Sequence, residues 1–263
     1  MTDYHVITRE RHGHQYWLKP SGYRFSAGDA LCPLMAQELT KAMLCLPIGF
    51  IAEGEQFLPV AVQGLMQGQN LLVAADGRWL ASYIPAHYRG YPFRMASTDQ
   101  GEQVLCIDEA SGLLSDSAGE PFFNDDGQPA QSVLEILDFL HQIEANRQLT
   151  RRICAVLQQQ GLIQPWPITV QGEHGEQNVN GLFRIDEVAL NALSTEALAA
   201  VRDAGGLSVA YCQLLSMQHL STLGTLAQAH AEAEKVRLAQ ESLAPEHKLD
   251  LGFMSDSGTF SFG

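Results

Sequence analysis

Hydrophobic periodicity changes character once along this chain of 263 residues. Up to about residue 110 the apolar residues come in short, partly β-branched runs, the pattern of strands. After residue 130 they recur at helical spacing. Strands first and helices afterwards pack as segregated layers, so the sequence predicts an α+β fold: a mainly antiparallel sheet from the N-terminal half packed against C-terminal helices.

Pro33 suits a first helical position, and Leu34, Met35, Leu39, Ala42 and Met43 make a stripe, so a helix is expected over about 33–43. LPIGFI (46–51), LPVAVQ (58–63) and EQVLCID (102–108) read as strands. NLLVA (70–74) and WLASYI (79–84) flank an Asp76-Gly77 turn and read as a hairpin. Residues 109–130 are rich in turns. An amphipathic helix follows over about 133–160, with a break expected near Thr150 and Gly161 as its C-cap. Strands are expected at 167–171 and 179–185. Asp186 and Ser194 suit helix N-caps, Gly205-Gly206 ends the second of those helices, and a long helix is expected over about 207–240. The expected organisation is an N-terminal extension (1–25), one domain (26–245) and a tail (246–263) with a small hairpin about Asp256-Ser257-Gly258.

Charge narrows the partners. The net charge is −14, and residues 101–263 carry all of it, with eight basic and twenty-two acidic residues. A phosphate backbone is repelled by such a surface, so nucleic acid is not an expected partner. The longest apolar run, Met43 to Ala52, holds ten residues and two breakers, Pro47 and Gly49, well short of the roughly 20 that span a bilayer. No membrane insertion is expected. The N-terminal charges have no apolar segment behind them, which points to a cytoplasmic protein unless export is non-classical. Five cysteines without a CxxC pair read as reduced, mostly buried thiols.

The motifs of well-known chemistries are absent. There is no GxSxG, GxxxxGK[ST], GxGxxG or HExxH. His12-Gly13-His14 is the only close histidine pair and reads as a solvated terminal segment rather than a metal site. Asn124-Asp125-Asp126-Gly127 fails as a calcium loop, because Phe122 and Val133 would fall at ligand positions. No catalytic residue, metal or cofactor is therefore assigned, and the sequence leans away from an enzyme.

One stretch stands out. Residues 79–94, WLASYIPAHYRGYPFR, gather aromatic rings and two arginines. Tyr and Trp offer flat amphipathic surface, and Arg offers a planar fork for carboxylate or phosphate. Trp79, Tyr83, Tyr88, Arg89, Tyr91 and Arg94 are the candidate ligand-binding residues. The competing reading is a set of aromatics packed into the core.

The order of PLMAQELTKAMLCLPIGF (33–50), LPVAVQGLMQGQNLLVAADGRWLASYIPAHYRGYPF (58–93), VLCID (104–108), GLFRIDEVALNALS (181–194) and GGLSVAYCQLLSMQHLSTL (205–223) resembles the SapC family of bacterial proteins. Gly90 departs from the pattern, since the family usually places a second arginine there. The resemblance implies no established reaction and carries over no catalytic residue. It implies an accessory or protein-interaction role, with surface-layer association suggested by the family name. A small-molecule binder or enzyme with a pocket at 79–94 is the alternative.

Overall fold

The computed structural model describes residues 2–98, 100–172 and 175–243. At its centre is a five-stranded antiparallel sheet, ordered Ile163–Pro165, Phe183–Ile185, Ile48–Glu53, Gln56–Val62, Leu31–Pro33. The middle hairpin matches the expectation from 46–51 and 58–63. Its turn is made by Gly54, whose φ of 62° suits a residue without a Cβ. Strand Ile48–Glu53 meets Phe183–Ile185 only at Phe50 and Phe183. Where the two diverge, side chains from helix Gly206–Ser216 complete the bonding. Gln213 donates to the Ile48 carbonyl (3.1 Å) and accepts from the Ile185 N–H (2.9 Å), and Ser216 Oγ accepts the Ile48 N–H (2.9 Å).

A second, smaller region forms around strands Tyr4–Val6, Gln103–Asp108 and Phe93–Ser97, paired in that order. Trp17, in the short strand Tyr16–Trp17, packs edge-on against Phe93 with centroids 5.0 Å apart. Tyr4–Val6 and Tyr16–Trp17 are thus paired into sheets with residues more than 90 positions away.

Helix Gln131–Gln159, about 44 Å long at 1.5 Å per residue, joins the two regions. Its first half gives Val133 and Leu140 to the small core, and its second half gives Ile153, Cys154 and Leu157 to the large one. The break expected near Thr150 does not occur. The Thr150 hydroxyl donates back to the Asn146 carbonyl (2.7 Å) and accepts the Ala36 N–H (2.8 Å), so the residue is held inside the helix.

Other expectations are corrected. The helix at 33–43 is instead strand Leu31–Pro33, one 3-10 turn Ala36–Glu38 and one α turn Leu39–Ala42. Met35 is extended, and the Glu38 carboxylate accepts its N–H (2.8 Å), so helical geometry starts only after it. The Asp76-Gly77 turn forms, and the Leu72 carbonyl accepts the Leu80 N–H (2.8 Å), but Val73 and Trp79 share only an isolated bridge, because the N–H groups of Leu71 and Leu72 go to the Gln63 carbonyl and Asn70 Oδ1. The strand at 179–185 is two strands, Gly175–Val179 and Phe183–Ile185, parted by Gly181 at φ 87°. The helix at 207–240 is Gly206–Ser216, a 3-10 turn at Met217–His219 and Leu220–Leu243. His12 is not solvated: it is fully buried, beside Phe122. The tail hairpin lies outside the described residues. Asp186 and Ser194 do cap their helices, accepting the N–H of Ala189 and Ala197.

No disulfide forms among the five cysteines. Burial pushes the Cys154 thiol up to about 12, and Cys32, Cys106 and Cys212 are raised for the same leading reason. Such thiols are protonated and inert near neutral pH. Among the described residues no helix is long and apolar enough to cross a membrane.

Candidate functional site

The 79–94 stretch closes over the edge of the large core. The Trp79 indole N–H donates to the Tyr83 carbonyl (2.9 Å), and its ring meets Tyr88 edge-on at 5.7 Å. Tyr88 is buried and donates to Gln63 Oε1 (2.8 Å), which also receives an Asn70 N–H (3.0 Å). Glu38, nearly buried, anchors the segment from below: besides Met35, it takes the Tyr83 hydroxyl and the Ala86 N–H, each at 2.8 Å. Desolvation first, then Glu38, pushes the Tyr83 phenol well up.

The two arginines do not converge. Arg89 lies over the rings of Tyr83 (5.9 Å) and Phe139 (5.4 Å), whereas Arg94 lies over Tyr4 at 4.0 Å. Gly90 has no room for a side chain unless Leu140 moves: a Cβ there would sit 2.9 Å from Leu140 Cδ2. Tyr91 faces a different way. Its ring stacks on Phe25 with centroids 3.9 Å apart and planes 11° apart, and it lines a cleft of about 290 Å³ with Phe25, Ser111, Asp76 and Arg24.

Arg24 also lines a larger neighbouring cleft of about 510 Å³, together with Gly68, Gln69, Asn70, Ala75 and His230. Its place follows from close backbone packing. Tyr23 N–H donates to the Gly77 carbonyl (2.8 Å), and Gly77, at φ 92°, leaves space that the Arg24 stem fills. Arg24 Nη2 then donates to the Ala75 carbonyl (3.1 Å). On the far wall His230, from helix Leu220–Leu243, has Nε2 3.0 Å from the Leu71 carbonyl. A carbonyl only accepts, so Nε2 carries the proton and Nδ1 is left as an acceptor. None of the described residues lining the larger cleft is Asp or Glu. Asp76, in the smaller one, is held well below its ordinary value by Arg78, 2.6 Å away.

Of the six residues singled out in the sequence, Tyr91 lines a cleft, Tyr88 packs edge-on against Phe25 of that cleft and Trp79 against Tyr88, Tyr83 is held by Glu38, and Arg89 and Arg94 rest on rings elsewhere. Arg24 and His230 carry no local sequence signal. They become neighbours of one cleft only because turn 75–77 and the C-terminal helix fold against residues 24–27.

The model of the SapC family matches residues 7–223 of the chain. No curated protein and no solved structure matches it.

Proposed function

We propose that this chain, which belongs to the SapC family, binds a small anionic molecule in the cleft that Arg24 lines. The observation that carries this reading is electrostatic. In a protein of net charge −14, the larger cleft is lined by Arg24 and by no described carboxylate. Its volume falls within the range of small-ligand sites, Gln69 supplies a further polar side chain, and His230 Nδ1 can accept from an N–H or O–H of the ligand. A carboxylate or phosphate meeting a guanidinium gains a charge-assisted hydrogen bond.

The test is thermal-shift screening with small carboxylates and phosphates, since a ligand of the native state raises the melting temperature. At least one member should raise it, and Arg24→Gln should weaken that ligand by about tenfold or more. If no anion shifts the wild type, or if Arg24→Gln responds equally, the reading fails. The accessory, protein-contacting role is then favoured, and exposed Val188, Tyr211 and Leu215 on the C-terminal helices are where a partner would be sought by pull-down.

A further inference from the structure

We infer that Asp3, His5 and Glu109, far in sequence from the Arg24 cleft residues 68–75 and 230, form a binding site for a divalent transition-metal cation of the zinc class. In an extended chain residues two apart share a face, which places Asp3 and His5 together at strand Tyr4–Val6. The Asp3 N–H donates to Asp108 Oδ1 (2.8 Å) and the Glu109 N–H donates to the Asp3 carbonyl (2.8 Å). Those two bonds fix Glu109 opposite the Asp3–His5 pair.

The resulting spacing suits a metal. His5 Nε2 is 3.0 Å from Asp3 Oδ1 and 3.9 Å from Glu109 Oε2, and the three ligand atoms all lie within 4.8 Å of one another. Tetrahedral coordination with bonds of about 2.1 Å separates ligand atoms by about 3.4 Å, between those two distances. One imidazole and two carboxylates make a donor set for zinc, manganese or iron(II), with a position left for water.

A second observation lies beneath the cluster. The His12 side chain is fully buried, and its Nε2 has no hydrogen-bond partner of good geometry although Glu109 Oε1 is 3.2 Å away. Thr8 N–H donates to Nδ1 (3.3 Å), so the neutral ring carries its proton on Nε2 and turns it toward the carboxylate. Arg11 holds Glu109 from the other side, with Nη2 2.7 Å from Oε2 and Nε on Oε1. A ligating carboxylate is commonly braced by such outer groups. Asp3, Asp108 and Glu109 together outnumber the charge of Arg11, and Arg94 sits across the ring of Tyr4. A cation between Asp3 and Glu109 removes that excess and staples the N-terminal strand to Gln103–Asp108.

The experiment uses the full chain without a polyhistidine tag. Zinc chloride is titrated calorimetrically, and cobalt(II) is added as a spectroscopic probe of the ligand field. One equivalent of zinc should bind, cobalt should give visible absorption, and His5→Gln and Asp3→Asn should each weaken zinc by about tenfold or more. His14→Ala, an exposed neighbour outside the cluster, should bind as the wild type does. Circular dichroism reports that each variant is folded. The inference is overturned if the wild type takes up no zinc at about 1 mM, or if either cluster variant binds as tightly as the wild type.

Discussion

The two hydrophobic cores are closed by different means. Among the described residues the large core buries twenty-seven apolar side chains and the small one seven. The large core is bonded inside mostly by neutral amides and hydroxyls, with the Glu38 carboxylate at its edge: Gln213 and Ser216 complete the bonding of Ile48, and Gln63 Oε1 accepts from both Asn70 and Tyr88. The small core is built on strands of two to five or six residues and is edged by charges, with His5, Arg11 and His12 all around Glu109. A small core buries too little apolar surface to be secure alone, so side-chain links hold its edge.

This contrast can be broken at three points. The largest effect is expected from Phe50→Ala, which empties a fully buried site in the central sheet and should cost about 3–5 kcal/mol of global stability. Phe122→Ala makes the same truncation in the small core, where opening need not unfold the rest. Hydrogen exchange should then show lost protection at Gln103–Asp108 with Ile48–Glu53 still protected. Equal loss in both strands would mean that the two cores melt as one.

Next comes Gln213→Leu, which preserves bulk but strands the Ile48 carbonyl and the Ile185 N–H. Denaturant unfolding should show a loss of about 2–4 kcal/mol. A loss below about 0.5 kcal/mol would show that water or a shifted strand replaces the amide.

The smallest effect is expected from pH and should be confined to the small core. Burial, the largest cause, lowers the His12 pKa below its ordinary 6.5, while the Glu109 carboxylate acts in the opposite direction. The unfolded chain therefore takes this proton first, and stability present above about pH 6.5 is lost as pH falls toward the folded value. Glu109, held below its ordinary 4.5 chiefly by its hydrogen bonds to Arg11, adds a second loss at lower pH. On acidification from pH 7 to 5 the NMR signal of the Trp17 indole should change before that of Trp166 in the large core. Simultaneous change of both would remove the distinction.

What could be read in advance follows the same division. Strands 46–51, 58–63 and 102–108, the amphipathic run after 130 and the caps Asp186 and Ser194 depend on neighbours a few residues away, and their signals are local. The 33–43 segment misleads because Glu38 bonds to Tyr83 and Ala86, more than 40 residues on. His12 reads as solvated because Phe122 and Glu109, which bury it, lie about 100 positions downstream. At 79–94 the density of aromatics is plain in the sequence, but its division is not. Only the fold decides that Tyr91 turns to a cleft shared with Arg24 while Arg89 covers Phe139.

Helix Gln131–Gln159 sets a rule about chain length that neither core imposes by itself. Each residue advances the helix by about 100°. Leu140 must face one core and Ile153 the other, so the thirteen steps between them fix the angle at which the two halves of the molecule meet. Deleting or adding one residue there would swing one apolar stripe to the flank of its core. This stretch is an indexed spacer whose residue number the packing of both cores fixes.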